Sequence, residues 1–457
     1  MTASTTHLQT APPLDRTSVP SRTRPRRSAR SQGAIIPLLL CLLLCQLGLC
    51  AKSLSRSLNG NVDFRVFYAS GHLLATGHGS SLYDPELQRS IQDTFVAPDT
   101  RTLPFLYPAF AAVLFAPFTL LQYKLAFFAF ALFNLTLLFM STAWLQRRAK
   151  RSGDLPDWFA LVVPFSLVSL CLFPVSIALM QGQVTFLLLF LYTACFLAIE
   201  RGRTFLAGSL LAAALIKFQI ALPIAFLFLI WRQGRFLLGF ALGAAALAAL
   251  SLALTGPDGV AQYLTSLIHI TGQTLAHSEF ARQHYGMSSA EMPNLHGLFS
   301  LLAAALSHSP QGSPLAVFLL IAISSALVLL WAARQRPSLA LALPAAMLVS
   351  YHLQPYDLTL LILPLSLAFA PCRNASTSDG QRTTTDGQLT TPKSPRKPTG
   401  AASLATIALL LTIPVAPFLL LHGLGALLAL APFTALALQS VKDPVKPQGF
   451  PERANPQ

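Results

Sequence analysis

The chain has 457 residues, of which 53% are hydrophobic and only 11% charged, with a formal net charge of +15. A soluble domain carries about 25% charged residues, so this composition excludes a soluble globular protein and reads as an all-α polytopic membrane protein. The basic excess does not signal nucleic acid: 24 of the 32 Lys and Arg fall in segments that read as cytoplasmic flanks of apolar runs.

Residues 1–33 are rich in Thr, Ser, Pro and Arg and predict a disordered basic cytoplasmic tail. The first apolar run covers 34–51. A signal peptide would also carry a basic region ahead of it, but this run is long and no small-x-small cleavage site follows, so it reads as an uncleaved span. Residues 52–106 form a polar segment too long for an idle connection. Within it, Val66, Phe67, Leu73 and Leu74 recur at helical spacing and predict an amphipathic surface helix over 65–75. Tyr83-Asp84-Pro85-Glu86 predicts a second helix, with Asp84 as N-cap and Pro85 in its first position. Residues 107–121 are apolar, short and bounded by proline, which predicts a half-inserted helix on the outer side.

Spans are predicted at 124–145, 158–178 and 184–200. The segment 204–231 has Arg201 and Arg203 at one end, Arg232 and Arg235 at the other, and Lys217-Phe218-Gln219 and Pro223 in its middle. It is either a hairpin with Lys217 at its outer tip or one long tilted helix, and the charge bias favours the hairpin. A span at 236–255, a second outer loop at 256–293 and a short outer stretch at 294–306 follow. Next come 314–333, 338–350 and 358–371, a flexible cytoplasmic linker at 372–400, a transmembrane hairpin at 401–439 and a cytoplasmic tail at 440–457. The expected architecture is a bundle of about 10–12 transmembrane helices in the cell membrane. Both termini are cytoplasmic and the long first outer loop carries amphipathic helices. Anionic lipid headgroups are the expected partner of the basic tails, and no nucleic acid is expected. Cys41, Cys45, Cys50, Cys171, Cys195 and Cys372 lie in or beside apolar runs without metal or redox spacing and read as small hydrophobes.

No GxxxxGK[ST], GxGxxG or HExxH motif occurs, so nucleotide hydrolysis does not drive the protein and a substrate would arrive dissolved in the membrane. Polar residues instead gather at the outer ends of spans. Asp63 and Arg65 follow the first; Gln181 and Gln183 form a Gln-Gly-Gln turn; Lys217 and Gln219 occupy the hairpin tip. His269, His277, Glu279, Arg282 and His284 fall in the second outer loop, Asn294 and His296 follow Pro293, and His352, Gln354, Tyr356 and Asp357 precede the 358–371 run. Such a set of carboxylate, Lys, Arg and His could hold a sugar and a phosphate together. Each member also has a plainer reading: Asp63 as a solvated loop acid, Lys217 as a snorkelling lysine, Asp84 as a cap, Asp357 as the partner of a neighbouring base, the histidines as loop polarity, and Gln-Gly-Gln as a tight turn. An ionisable group kept at membrane depth costs about 2.5–3.5 kcal/mol on insertion scales, which points to a partner or a task.

Several of these pieces, in order, resemble the integral-membrane glycosyltransferases of family 87 in the GT-C superfamily, a family that includes polyprenyl-phosphate-mannose-dependent α-mannosyltransferases. The resemblance covers roughly 60–370. It rests on Asp63-Phe64 with Tyr68, on Gly77 and Leu82-Tyr83-Asp84, and on Phe105-Leu106-Tyr107-Pro108, where Ala109 replaces a second proline. It continues in Gly182-Gln183-Val184-Thr185, in Lys217-Phe218-Gln219 with Phe for Pro, in Pro293-Asn294-Leu295-His296-Gly297 with His for Arg, and in Tyr351-His352 with Tyr356-Asp357. The resemblance implies a GT-C-like fold over 34–371. It implies a transferase that moves a hexose, with mannose the expected sugar, from a polyprenyl-phosphate donor to a glycolipid or glycan acceptor, with inversion and without a metal or other cofactor. Asp63 is the implied catalytic base. Arg65, Tyr68, Tyr107, Gln183, Lys217, Gln219, Arg282, Asn294, His296, His352, Tyr356 and Asp357 are the candidate substrate-binding residues, with His352 implied near the donor phosphate. The rival is a transporter or flippase for an amphipathic anion, which would also keep ionisable groups around a cavity. Against it stand the long first outer loop and the lack of an inverted repeat of broken helices.

Overall fold

The computed structural model describes residues 28–95, 103–152, 164–275, 291–306 and 314–368, and those residues form helices, 3-10 turns and short connections. Helix α1 (Ser28–Leu58) is followed by α2 (Phe64–Ala75), α3 (Pro85–Phe95), α4 (Ala109–Val113) and α5 (Tyr123–Ser152). After these come α6 (Phe165–Leu170), α7 (Phe173–Gln181), α8 (Thr185–Glu200), α9 (Thr204–Ala213) and α10 (Phe218–Ile230). Next are α11 (Gly234–Leu275), α12 (Leu295–Leu306), α13 (Pro314–Ala333), α14 (Leu339–Val349) and α15 (Ile362–Ala368). Short 3-10 segments stand at Gly79–Ser81, Ala116–Leu120, Ala214–Lys217 and Pro355–Leu361. Among the described residues five segments are long and apolar enough to cross a membrane: Ile36–Leu58, Tyr123–Arg151, Thr204–Ile230, Gly234–Ile270 and Leu315–Ala333. Shorter apolar helices lie between them. The chain is an all-α polytopic membrane protein, and its outward faces carry the large apolar side chains that suit lipid contact, such as Leu315, Phe318, Ile323 and Leu327 on α13.

Composition alone would let Thr204–Ile230 cross as one span, but packing folds it. Phe205 lies against Gly239, and Ser209 and Ala212 lie against Gly243, so α9 and the start of α11 run parallel. The chain must therefore return along α10, and Lys217, with non-helical φ −116° and ψ 74°, makes the turn. Gly208 meets the backbone of Phe236 and Phe240, Gly239 that of Phe205, and Gly243 meets Ala212, the small-residue arrangement that lets membrane helices approach backbone to backbone. The hairpin brings Arg201 and Arg203 to the same end as Arg232 and Arg235. Arg148, near the end of α5, pairs with Glu200 at 3.0 Å, and the Trp231 indole N–H donates to the Ala333 carbonyl at 3.1 Å, beside Arg334. Four basic clusters thus share one end of the bundle.

Several sequence expectations are corrected. The first span extends to Leu58 rather than stopping at 51, because Ser53, Leu54 and Ser57 continue the turn pattern and the Ser57 hydroxyl is taken up by the Met180 carbonyl at 2.7 Å. The 65–75 segment is a helix, but it is buried, not on the surface: Phe64 and Phe67 are fully enclosed. Phe64 packs on Tyr123, Phe127 and Phe130, and Phe67 stacks on Phe115 at 4.6 Å. Helix α3 begins as expected, with the Asp84 carboxylate accepting from the Glu86 and Leu87 N–H groups at 2.9 and 3.1 Å. The stretch 158–178 is not one helix where described but two, α6 and α7, broken before Pro174. The second outer loop does not begin at 256. Helix α11 kinks at Gly256–Pro257 and continues to Leu275. Its Tyr263 ring meets Tyr83 at 4.9 Å, so the continuation is held by the first loop. The tail 1–27, the linker, the 401–439 hairpin and the last tail lie outside the described residues.

Close packing at the α9–α11 seam gives a direct test. A Cβ on Gly208 would fall on the Phe236 carbonyl, which cannot rotate away, whereas nothing lies within 4 Å of a Cβ on Gly234. Overpacking into movable side chains already costs about 1–3 kcal/mol. Gly208→Leu is therefore expected to cut the yield of monodisperse detergent-extracted protein several-fold on size exclusion, while Gly234→Leu leaves it unchanged.

Candidate functional site

The polar cluster assembles at the end of the bundle opposite the basic clusters. Helix α8 has 16 residues and starts beside the cluster, so about 24 Å separates it from Glu200 and the arginines. Its foundation is the turn between α7 and α8. Gly182 ends α7 in the left-handed conformation at φ 63°, with the Gln183 N–H donating to the Ala178 carbonyl at 3.0 Å and the Gly182 N–H to the Leu179 carbonyl at 3.2 Å, a Schellman stop. A Cβ at Gly182 would come within 2.6 Å of the Phe64 Cβ, so only glycine satisfies both the backbone and the helix seated on it.

That seating puts Asp63 against the turn. Asp63 occupies the N-cap position of α2, yet its side chain caps nothing. An N-cap aspartate ordinarily turns onto the helix N–H groups; here the carboxylate instead accepts from the Gln183 amide Nε2, and the Asp63 backbone N–H donates to Gln181 Oε1 at 3.1 Å. Gln183 is oriented in turn: its Oε1 accepts from the Tyr107 hydroxyl at 3.3 Å, and its carbonyl accepts from Asn134 Nδ2 at 3.1 Å. Tyr356 stands beside Asp63 as well, close enough for the phenol and the carboxyl to act on each other electrostatically. Burial pushes the Asp63 carboxyl up from its usual range, against the opposing effects of the Gln183 bond and Lys217.

A second knot lies alongside. Lys217 and Asp357 form a buried ion pair at the hairpin tip. Asp357 also accepts from the Thr185 hydroxyl at 3.2 Å and closes a capping box with Gln354, whose N–H donates to it at 3.0 Å. The Lys217 ammonium sits 4.6 Å from the centre of the Tyr356 ring, which links the two knots. His352 is half-buried beside Gln354, and burial, with Lys217 acting in the same sense, lowers its pKa to about 4, so it is neutral at pH 7. Among the described residues no three His, Cys, Asp or Glu side chains converge as a metal site.

The structure thus brings Asp63, Tyr107, Gln183, Lys217, His352, Tyr356 and Asp357 together. Other candidates are placed apart from that network. Arg65 is buried on α2, where its charge acts on Tyr123. The Tyr68 hydroxyl donates to the Leu121 carbonyl at 2.7 Å, and Gln219 is half-buried in the first turn of α10. Asn294 is a joint: its Oδ1 accepts from the Gly297 N–H at 2.8 Å and its Nδ2 donates to the Ser350 carbonyl at 2.7 Å. His296 is buried on α12, and Arg282 lies outside the described residues. Gln181, Thr185 and Asn134 were not among the candidates. Gln181 and Thr185 were visible in the Gln-Gly-Gln turn and the Gly-Gln-Val-Thr motif, whereas nothing in the sequence singles out Asn134, a lone polar residue in an apolar run.

Breaking the buried pair strands a charge. Removing one partner of such a pair costs about 3–5 kcal/mol. Lys217→Met is expected to lower the thermal unfolding temperature of the detergent-solubilised protein, and Asp357→Asn added to it restores most of the loss, because asparagine keeps the cap without the charge. Melting of Lys217→Met at the wild-type temperature would show that the pair contributes nothing.

The family model for glycosyltransferase family 87 matches residues 105–364, a stretch that holds every member of the two knots except Asp63. No curated protein and no solved structure matches the chain. Because the matched stretch exceeds half of the sequence, and because Asp63 is bonded directly into it through Gln183, the chain belongs to glycosyltransferase family 87.

Proposed function

We propose that this glycosyltransferase moves a hexose, mannose in the first instance, from a polyprenyl-phosphate donor to a lipid-linked or glycan acceptor, with Asp63 as general base. The observation that carries the reading is an N-cap aspartate turned away from its helix and into a buried polar cluster at a membrane-helix end. Asp63 takes the proton of the acceptor hydroxyl as that oxygen bonds to the anomeric carbon. The bond from that carbon to the phosphate oxygen breaks on the opposite face, so the configuration inverts, and the phosphate leaves with the electron pair. Lys217 has further N–H donors beyond the one that meets Asp357, and these, with a neutral His352 N–H, stabilise the departing phosphate where its charge develops. Tyr107 and Tyr356 border the sugar. The donor and acceptor meet on the extracytoplasmic side, a placement supported by the four basic clusters at the far end of the bundle.

Asp63→Asn is expected to lose about 10²–10⁴-fold in turnover, measured as release of free polyprenyl phosphate from radiolabelled polyprenyl-phosphate mannose in proteoliposomes made with a total lipid extract as acceptor source. The protein should stay folded. A carboxyl whose pKa is raised by folding contributes stability below its unfolded pKa and loses it as pH rises through the folded one, so the amide removes that loss. For the same reason the acid limb of wild-type activity is expected above the ordinary aspartate value of 3.8, with activity falling as the pH drops through it. Asp84→Asn, which preserves a cap, should change little. Turnover by Asp63→Asn at the wild-type rate removes Asp63 from the reaction.

Sidedness is tested separately by impermeant thiol labelling in a background without the native cysteines. Ser80→Cys, exposed at the site end, should react in intact cells, and Arg201→Cys, exposed at the basic end, should not. The reverse pattern would place the site in the cytoplasm.

A further inference from the structure

We propose that the Gln181–Gly182–Gln183 turn is a positioning device for the base, gripping Asp63 by its backbone N–H and its carboxylate at once, and that Gln183 acts on Asp63 rather than on substrate. The proposal rests on the reading of Asp63 as general base and deepens it. Its ground is geometric. Gln183 is only 1% exposed, so its amide is committed within the protein. The Tyr107 hydroxyl occupies Oε1 at 3.3 Å, which obliges Nε2 to face Asp63, and Asn134 fixes the Gln183 carbonyl at 3.1 Å. Gln181 meanwhile receives the Asp63 N–H at 3.1 Å, from the other end of a turn that glycine alone can make under Phe64. The Gln181 amide oxygen and the Gln183 amide nitrogen thus both meet Asp63, one on its backbone and one on its carboxylate.

A grip of this kind does two things. It holds the carboxylate in one orientation, so the oxygen not engaged by Gln183 is presented to an incoming hydroxyl. It also favours the ionised state, because an N–H donor stabilises a carboxylate and not its protonated form. The other charged or titratable groups facing Asp63 are Lys217 from the hairpin tip, Tyr356 and Asp357 from the 355–361 segment, Tyr107 from the stretch before α4, and Tyr123 from α5. Of these only Tyr107 is bonded to the Gln183 side chain, so the others keep their own contacts when Gln183 is changed.

The test titrates Asp63 directly and needs no substrate. In full-length protein reconstituted in lipid, the Asp63 carboxyl band in an infrared pH titration is identified as the one missing from Asp63→Asn. A hydrogen bond to a charged group corresponds to about one to two pH units, so Gln183→Leu is expected to move the midpoint of that band upward by about that amount. Tyr107→Phe, which frees the Gln183 amide to turn, should move it the same way by less and serves if Gln183→Leu does not fold. A midpoint unchanged in a folded Gln183→Leu, or in Tyr107→Phe when only that variant folds, overturns the proposal. The two readings then separate in turnover. If Gln183→Leu shifts the band but Asp63→Asn keeps full activity, the grip exists without a base to hold, and the positioning role fails with the base. If Asp63→Asn is inactive while Gln183→Leu only raises the KM for the donor, Gln183 is a substrate ligand and the base reading stands alone.

Discussion

The structure turns on the seating of Phe64 on Gly182. Phe64 anchors α2 in an aromatic cluster with Tyr123, Phe127 and Phe130, and Gly182, lacking a Cβ, leaves the space that anchor needs. The residue before Phe64 then has no freedom: Asp63 must lie across the α7–α8 turn, and the two glutamines of the turn must receive it. An apolar bundle offers no bulk water to satisfy a misplaced polar group, so the contact between two elements more than a hundred residues apart in sequence sets the register of the whole site.

The same requirement explains the second knot. A lysine and an aspartate buried at this end of the bundle are tolerable because they meet each other, Thr185 and the N–H of Gln354. The paired charges also join three elements, the hairpin tip, the start of α8 and the 355–361 turn. Burial of the pair is weak evidence for stability in itself; its effect is to fix where the hairpin tip stands relative to Asp63.

Much of this was legible in the sequence, and the exceptions share a cause. Apolar runs and basic flanks located α5, α8, α13 and the α9–α10 hairpin, because membrane insertion is governed by composition along the chain. The same signal failed for α2. Its apolar spacing is that of a surface helix, but Tyr107, Phe115, Tyr123, Phe127 and Phe130, distant in sequence, pack onto it and enclose it. It failed again at Gly256–Pro257, where a helix-breaking pair reads as the start of a loop but tertiary packing of Tyr263 on Tyr83 lets the chain resume as helix. In the site, Lys217 and Asp357 each stand out as ionisable groups in apolar surroundings, but their pairing across 140 residues is a property of the fold. Gln183 stood out by its motif, and its partner could be named only once Asp63 was seen to leave its own helix uncapped.

The balance of charge at the site follows from these contacts. Within the two knots Lys217 and Asp357 compensate each other and His352 is neutral, so Asp63 carries the remaining charge, with the buried Arg65 guanidinium nearby on α2. Burial already resists that charge, and Gln183 and Lys217 hold it against the resistance. On the proposed reading, an arriving donor phosphate brings further negative charge and raises the proton affinity of Asp63 once more. The base would thus be strongest when the donor is in place, and leaving-group departure would draw the phosphate charge toward the donors of Lys217 while Asp63 becomes neutral. Proton uptake and phosphate release would then relieve the same electrostatic tension, which couples the two ends of the transfer through the field of the site and not through a moving part.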